Sequence, residues 1–252
     1  MNRITLITLG SIIAACSSTS NQATPEEYDD TAQAIASTTA TGGGGGDVAS
    51  MTDSVNIALG TMPLGFSLQG DGHIHGSRLG VDYSYAITCK NLTGVVLPAC
   101  DRSTNEASVT VAWSGSLRSQ YLDATVTRDG AWTVTGLQTA TATSSGDSSF
   151  SFDATLRSIF RPGVTATYAF DASASYDAVR IATQERKVVD GSATFDLTGH
   201  HTVTGAGRNN VDASFSVHAQ LTLHADHTAA LVLDGTRNYS IDLATGLVIR
   251  VN

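Results

Sequence analysis

The segment "DGHIHG" holds the three side chains whose types and spacing best suit chemistry. Asp71, His73 and His75 occupy alternate positions, so an extended strand would turn all three to one face. Two imidazoles and a carboxylate are ligands that zinc and other divalent metal ions use, and a catalytic site would leave one position open for water. A metal-dependent hydrolase using these residues is therefore one alternative function.

The same residues also suit a solvated strand face without an ion. Side chains two positions apart on a flat strand are separated by about 7 Å, which is wide for one ion unless the strand twists or bulges. A neighbouring strand would have to supply a further ligand, and the sequence does not assign one. Metal binding and simple solvation both stay open for this segment.

A second group of histidines occurs in "VHAQLTLHADH". His218 and His224 share the polar face of the expected strand, while Asp226 and His227 lie at the turn that follows. A site shared with the first group would require the two hairpins to lie side by side. Surface histidines are the favoured interpretation here.

The remaining composition gives no catalytic pattern and argues against nucleic acid. The sequence contains no Gly-x-Ser-x-Gly, HExxH, EF-hand or dinucleotide motif. Its 23 acidic residues outnumber 14 basic ones, and a net charge of -9 repels a phosphate backbone. We expect a protein without enzymatic activity that does not bind nucleic acid and has no cofactor beyond the divalent ion considered above.

From Phe66 onward, apolar residues alternate with Ser, Thr, Asp and His, as in strands with one buried face. About a dozen such runs follow one another, so residues 65–252 are expected to form an all-β domain built as a long antiparallel meander. The sheet must curl, split or close, giving a barrel, a half-open curved sheet with a helix in its mouth, or a sandwich. The turns expected between runs are Asp129-Gly130, Ser145-Gly146, Pro162-Gly163, Asp190-Gly191, Asp234-Gly235 and Thr245-Gly246.

Long strands of alternating polarity also describe an outer-membrane-embedded β-barrel, which is a second alternative. The apolar faces here include many Ala and Gly, and aromatic residues make up only 6% of the chain. The sequence ends in "VIRVN", whereas the outer-membrane barrel families that its strand pattern resembles end on an aromatic residue. These features favour peripheral anchoring over embedding.

Two short helices are expected before the strands. Thr24 suits an N-cap, Pro25 the first helical position, and Glu27 completes a capping box. Five glycines then form a hinge, and helical spacing resumes from Asp47, itself a candidate cap, to Leu59. Residues 16–64 are therefore expected to be a tether with helices and a glycine hinge, and their packing on the sheet stays open.

The first fifteen residues have the layout of an export signal. Arg3 precedes an uncharged run that is too short to cross a bilayer as a stable helix. The following residues, Ile13-Ala14-Ala15-Cys16, resemble the lipobox of bacterial lipoproteins, in which an aliphatic and two small residues precede an acylated cysteine. The resemblance covers residues 1–16 only, and it implies removal of residues 1–15 and acylation of Cys16, palmitate included.

This resemblance also implies a location. Several acyl chains on Cys16 would anchor the protein to a membrane, and Ser17 after the cysteine favours the outer membrane in this family. The expected function is that of a lipid-anchored protein of the bacterial cell envelope. Its β domain is expected to be structural, or to bind an apolar ligand or an envelope protein.

The cysteine count agrees with export. With Cys16 acylated, Cys89 and Cys100 remain as a pair in an oxidising compartment, so we expect a disulfide between them. Closing this short loop stabilises the fold by about 3 kcal/mol in the chain-entropy treatment. No CxxC pair occurs, so neither a redox motif nor a cysteine zinc site is indicated.

Overall fold

The structure, a computed structural model, describes residues 22–40, 46–118, 120–203 and 211–251. The export signal, Cys16 and glycines 42–45 of the expected hinge lie outside these residues. Two helices precede twelve strands. They are α1 (Pro25–Thr39), α2 (Asp47–Ala58), β1 (Phe66–Leu68), β2 (Ile74–Arg78), β3 (Val81–Asn91), β4 (Thr104–Arg118), β5 (Leu122–Thr135), β6 (Thr141–Arg157), β7 (Thr165–Ala182), β8 (Lys187–Val203), β9 (Val211–Leu223), β10 (Thr228–Leu233), β11 (Arg237–Asp242) and β12 (Val248–Val251).

Helix α1 begins with the predicted capping box. The backbone N–H of Glu27 donates to Thr24 Oγ1 at 3.3 Å, and the backbone N–H of Thr24 donates to Glu27 Oε2 at 2.7 Å. Pro25 occupies the first turn, where no intrahelical donor is needed. The prediction of this helix and its start is confirmed.

Helix α2 also begins where the sequence indicated, but its cap differs. Gly46 is the N-cap residue and makes no side-chain capping bond, so the prediction that Asp47 caps this helix is wrong. The Asp47 carboxylate instead leaves the helix end and pairs with Arg128 of β5. A buried cation competes successfully with the helix N-terminus for this carboxylate.

All twelve strands form one antiparallel sheet in which each strand pairs with its neighbours in sequence. No pairing joins β1 to β12 within the described ranges, so the meander stays open. The expected all-β class is confirmed, and of the three architectures considered the open curved sheet is observed. Both helices lie against it: α1 packs against β10, β11 and β12, and α2 against β4, β5 and β8.

Three of the expected turns are not turns. Asp129-Gly130, Ser145-Gly146 and Asp190-Gly191 lie inside β5, β6 and β8, which is why these strands reach 14 to 17 residues. The pairing register shifts between Ser144 and Gly146, where Gly146 has φ +154°. A glycine inside a strand can mark such a bulge instead of a chain reversal.

The helices are enclosed by the sheet instead of lying beside it. Along α1, polar Asp29, Asp30, Gln33 and Thr38 are each at most 2% exposed, as is apolar Ile35. One hydrophobic core includes residues of both helices and of the sheet. The expected division at residue 65 therefore does not coincide with a break in the core. Both helices contribute side chains to the hydrophobic core of the β domain.

A disulfide bond joins the end of β3 to the loop that follows it. Cys89, at the end of β3, and Cys100 form the predicted disulfide, with Cα atoms 5.4 Å apart. It closes the apolar loop that connects β3 to β4.

Within the described part of the chain, neither helix has the length and hydropathy needed to cross a bilayer.

Candidate metal centre

The predicted ligands lie at the turn between β1 and β2. Asp71 is in the turn itself, His73 immediately precedes β2, and only His75 belongs to the strand. Gly72 has φ +81°, a backbone conformation that glycine adopts without a steric cost, and it reverses the chain directly after Asp71. The expectation that all three residues lie on one strand is therefore replaced by a turn that carries two of them.

This turn brings the three side chains closer than a flat strand would. One ligand atom from each of Asp71, His73 and His75 lies within 4.8 Å of the other two. His75 Nε2 is 2.9 Å from Asp71 Oδ2, and the His73 and His75 ring centroids are 6.1 Å apart. On a flat strand, side chains two positions apart would be separated by about 7 Å. The turn brings Asp71 closer to His75 than this, because Asp71 folds back over the strand.

The carboxylate of Asp71 is oriented by its neighbours. The backbone N–H of His73 donates to Asp71 Oδ1 at 2.9 Å. This bond, followed by the hydrogen bond with the His75 ring, lowers the pKa of Asp71 below its ordinary value. Asp71 is therefore an anion at neutral pH, with one oxygen held by the backbone and the other directed to His75.

The surroundings of the turn come from the outer face of the sheet. Ser84 of β3 is the register partner of His75, and its Oγ lies 3.5 Å from His73 Nδ1. His73 and Ser84 also line a shallow depression that crosses β4, β5 and β6. Its floor is made of short side chains, including Thr110, Ala112 and Asp129.

The other histidines do not join this group. His218 pairs with Asp196 across β8 and β9, with His218 Nδ1 2.9 Å from Asp196 Oδ1, and His200 pairs in the same way with Asp212. Strands β3 to β8 separate β9 from β2 in the sheet order, and the two hairpins are not neighbours. Among the described residues, the group at residues 71–75 is the only one with three metal-ligating side chains this close.

His201 differs from its neighbour His200 because its side chain points inward. Its ring stacks on Tyr168, with centroids 4.6 Å apart, and its Nδ1 lies 3.8 Å from Glu27 of α1. Burial lowers the pKa of His201 below its ordinary value, and the nearby Glu27 partly opposes this. The residue belongs to the contact between the sheet and α1.

Sequence reasoning missed a set of polar contacts between the helices and the sheet. The helices supply the carboxylates; three of the guanidinium groups come from strands and the fourth, of Arg161, from the connection between β6 and β7. The pairs are Asp29 with Arg250, Asp30 with Arg161, Asp47 with Arg128, and Asp53 with Arg78. The sequence did contain one sign of these contacts. Arg128 occupies an inward position of β5, in phase with Val126 and Trp132.

The best-buried of these pairs is that between Asp47 and Arg128, in which both side chains are at most 1% exposed. Ser148 Oγ donates to Asp47 Oδ2 and accepts from the Arg128 guanidinium, each at 2.9 Å. The guanidinium carbon lies 4.4 Å from the ring centroid of Phe150. Burial lowers the pKa of Arg128 to about 10, so the group stays cationic at neutral pH.

A cavity of about 330 Å³ lies beside the C-terminal half of α1. Leu117, Leu122, Ile159 and Leu247 provide its apolar lining. Gln33 stands at its wall, where the side-chain amide donates to the backbone oxygens of Tyr121 and Arg157 and accepts from the Ile159 N–H. The wall is thus tied to two connections of the sheet.

Comparison of the chain with protein-family models, with curated proteins and with solved structures found no match.

Proposed function

We propose that this chain is a lipid-anchored protein of the bacterial cell envelope, held at the outer membrane by acyl chains on Cys16, with a non-enzymatic β domain. The lipobox-like residues before Cys16 support the anchor. The disulfide between Cys89 and Cys100 supports export, because such bonds persist in oxidising compartments.

The observation that carries the functional part is the position of the two helices. They occupy the concave face of the sheet, where a curved β domain would otherwise hold a large ligand. The surface left for an envelope partner is the outer face of the sheet and its connections. We therefore propose that the domain binds, or organises, an envelope component from outside its own core.

The side chains on the outer face support an aqueous position for the sheet. A lipid-facing sheet needs an apolar band on its outer side. The exposed positions of β5 alternate with its buried ones and are almost all polar: they are Asp123, Thr125, Thr127, Asp129, Ala131, Thr133 and Thr135. Peripheral anchoring is accordingly preferred to the embedded alternative.

An apolar ligand is a second form of this proposal, in which the ligand lies beside α1 and not on the outer face of the sheet. The cavity beside α1 falls at the small end of the 300 to 1,000 Å³ range of ligand pockets. Its lining residues Leu117, Leu122 and Ile159 would contact an acyl chain or a similarly narrow apolar group.

The anchor is tested by the intact mass of the mature protein from a bacterial host. We expect the wild-type chain to begin at residue 16 and to carry added acyl mass, and Cys16→Ser to lose both. A wild-type mass without acyl groups would remove the anchor and return the protein to the class of secreted domains.

The apolar ligand is tested by mass spectrometry of organic extracts from the purified full chain. We expect a lipid in the wild-type extract and its loss in Ile159→Trp, which fills the cavity. Leu92→Trp is the matched control, because Leu92 is an exposed loop residue next to the start of β4, whereas the cavity lies at the other end of β4, beside Leu117. A ligand-free wild-type extract would contradict the apolar-ligand form alone.

The alternative function is metal-dependent hydrolysis at residues 71–75, favoured by the close approach of three ligand types. It predicts zinc-dependent turnover of a chromogenic ester or phosphate ester, abolished by replacing His73 and His75. Zinc binding without turnover would leave the non-enzymatic proposal in place.

A further inference from the structure

The turn between β1 and β2 concentrates three metal-ligating side chains within five residues. We propose that Asp71, His73 and His75 bind one divalent transition-metal ion of the zinc type. This site stands whether or not Cys16 is acylated, because it uses only residues of the β1–β2 hairpin.

The first support is the geometry of the side chains. In a tetrahedral zinc site with ligands at 2.0 to 2.1 Å, neighbouring ligand atoms are about 3.4 Å apart. The ligand atoms here lie within 4.8 Å of one another, and those of Asp71 and His75 are already at 2.9 Å. Rotation of exposed side chains closes the difference, so the backbone of the turn need not move.

The second support is the orientation of the carboxylate. The backbone N–H of His73 holds Asp71 Oδ1, and Oδ2 is thereby directed toward the His75 imidazole. A hydrogen bond to the second oxygen of a ligating carboxylate is the usual outer-shell arrangement in metal sites. The turn therefore preorganises a ligand as well as supplying it.

The third support is the contrast with other histidine–aspartate pairs on the same sheet. His200 with Asp212 and His218 with Asp196 each bring one imidazole to one carboxylate. Across the described ranges, only the turn at residues 71–75 adds a second imidazole. An exposed pair needs no ion, whereas a third convergent donor completes the ligand set of an open zinc site.

The donor atoms decide the class of ion. Imidazole nitrogens favour zinc, copper or nickel, whereas calcium and magnesium prefer oxygen-only sites. Three protein ligands leave at least one position for water or an external donor. His73 and Ser84 line the depression on the outer face, so the open position faces it.

Zinc titration of the full mature chain, purified in detergent and freed of metal, tests the site by calorimetry with Zn²⁺ as the only added ligand. We expect saturable binding of one Zn²⁺ per chain. The variant with both His73→Ala and His75→Ala is expected to weaken this binding by at least about 100-fold, since loss of outer-shell partners alone costs 10- to 100-fold. Excess Mg²⁺ or Ca²⁺ is expected not to compete.

The matched control combines His200→Ala and His218→Ala, which removes the same number of imidazoles from the same face of the sheet. We expect this control to bind Zn²⁺ like the wild type. Equal losses in both double variants, or no saturable binding in the wild type, would overturn the proposal. Asp71→Asn gives an independent variant with both histidines present, and it too is expected to weaken binding.

Visible absorption of the Co²⁺-loaded chain distinguishes coordination of the metal ion from its nonspecific adsorption. A site with two imidazoles and a carboxylate is expected to give ligand-field bands that disappear when His73 and His75 are replaced. Thermal midpoints of the metal-free variants serve as the folding control, because the changed side chains are substantially exposed. Unaltered Co²⁺ bands in the double variant would contradict coordination by these residues.

Discussion

Acidic residues meet basic ones both inside the sheet and on its outer face, and the two regions use these pairs differently. Inside, buried carboxylates of the helices pair with arginines, and in the pair of Asp47 with Arg128 both side chains are away from solvent. Outside, pairs such as His218 with Asp196 are about half to three-quarters exposed. The same chemistry therefore determines how the helices are held in one region and leaves side chains available for binding in the other.

The largest effect is expected from Arg128→Met. This change leaves the Asp47 carboxylate buried without its cation, and breaking a buried pair from one side costs about 3 to 5 kcal/mol. Urea denaturation measures the loss in the free energy of unfolding. Combining Arg128→Met with Asp47→Leu is expected to restore most of it, and an equal loss in the double variant would contradict a role for the charge.

Asp30→Asn is expected to have the next largest effect. Asp30 Oδ2 accepts hydrogen bonds from Tyr168 at 2.7 Å and from Arg161 at 2.6 Å, and the carboxylate is 1% exposed. Losing charge-assisted bonds at a buried site costs about 2 kcal/mol. Thermal denaturation measures this, and a change below that of an outer pair would break the comparison between the two regions.

The inward-facing His201 makes the free energy of unfolding depend on pH. Because burial lowers the pKa of His201, the unfolded chain takes up this proton at a higher pH than the folded one. Stability is therefore lost as the pH falls through the ordinary histidine range. Between about pH 7 and about pH 5, we expect the free energy of unfolding to fall less in His201→Gln than in the wild type.

The control for this pH dependence is His200→Gln, which changes the adjacent outward-facing histidine. We expect its pH profile to follow that of the wild type. Parallel profiles for the wild type and both variants would show that burial of His201 contributes nothing to acid sensitivity.

The smallest effect is expected from His218→Ala. His218 and Asp196 are exposed, and such pairs contribute between zero and about 1 kcal/mol. Chemical denaturation should show a change within about 0.5 kcal/mol, as for most surface substitutions. A loss comparable to that of Asp30→Asn would give the outer face a structural role.

Local features were predictable from the sequence and distant ones were not. The alternation of Val109, Val111 and Trp113 is borne out by their burial, and the capping box at Thr24 and the disulfide also formed as expected. Each of these depends on residues a few positions apart, or on the pairing of the two cysteines that remain after Cys16.

The enclosure of the helices was not predictable, because their spacing marks only one apolar face. Asp29 and Asp30 look solvent-exposed until their partners are known, and those partners, Arg250 and Tyr168, lie 221 and 138 residues further along the chain. Likewise, the types of the candidate metal ligands were evident, but their convergence depends on the backbone reversal at Gly72.

The pairing of Asp29 with Arg250 has a consequence for the order in which the protein folds. It connects the first helix to the last strand, β12, so the burial of α1 cannot be completed until nearly the whole described chain is available. Native contacts between such distant residues form late and slow the reaction. The export that we propose requires an unfolded chain, and this delay favours it because the core closes only once β12 is available.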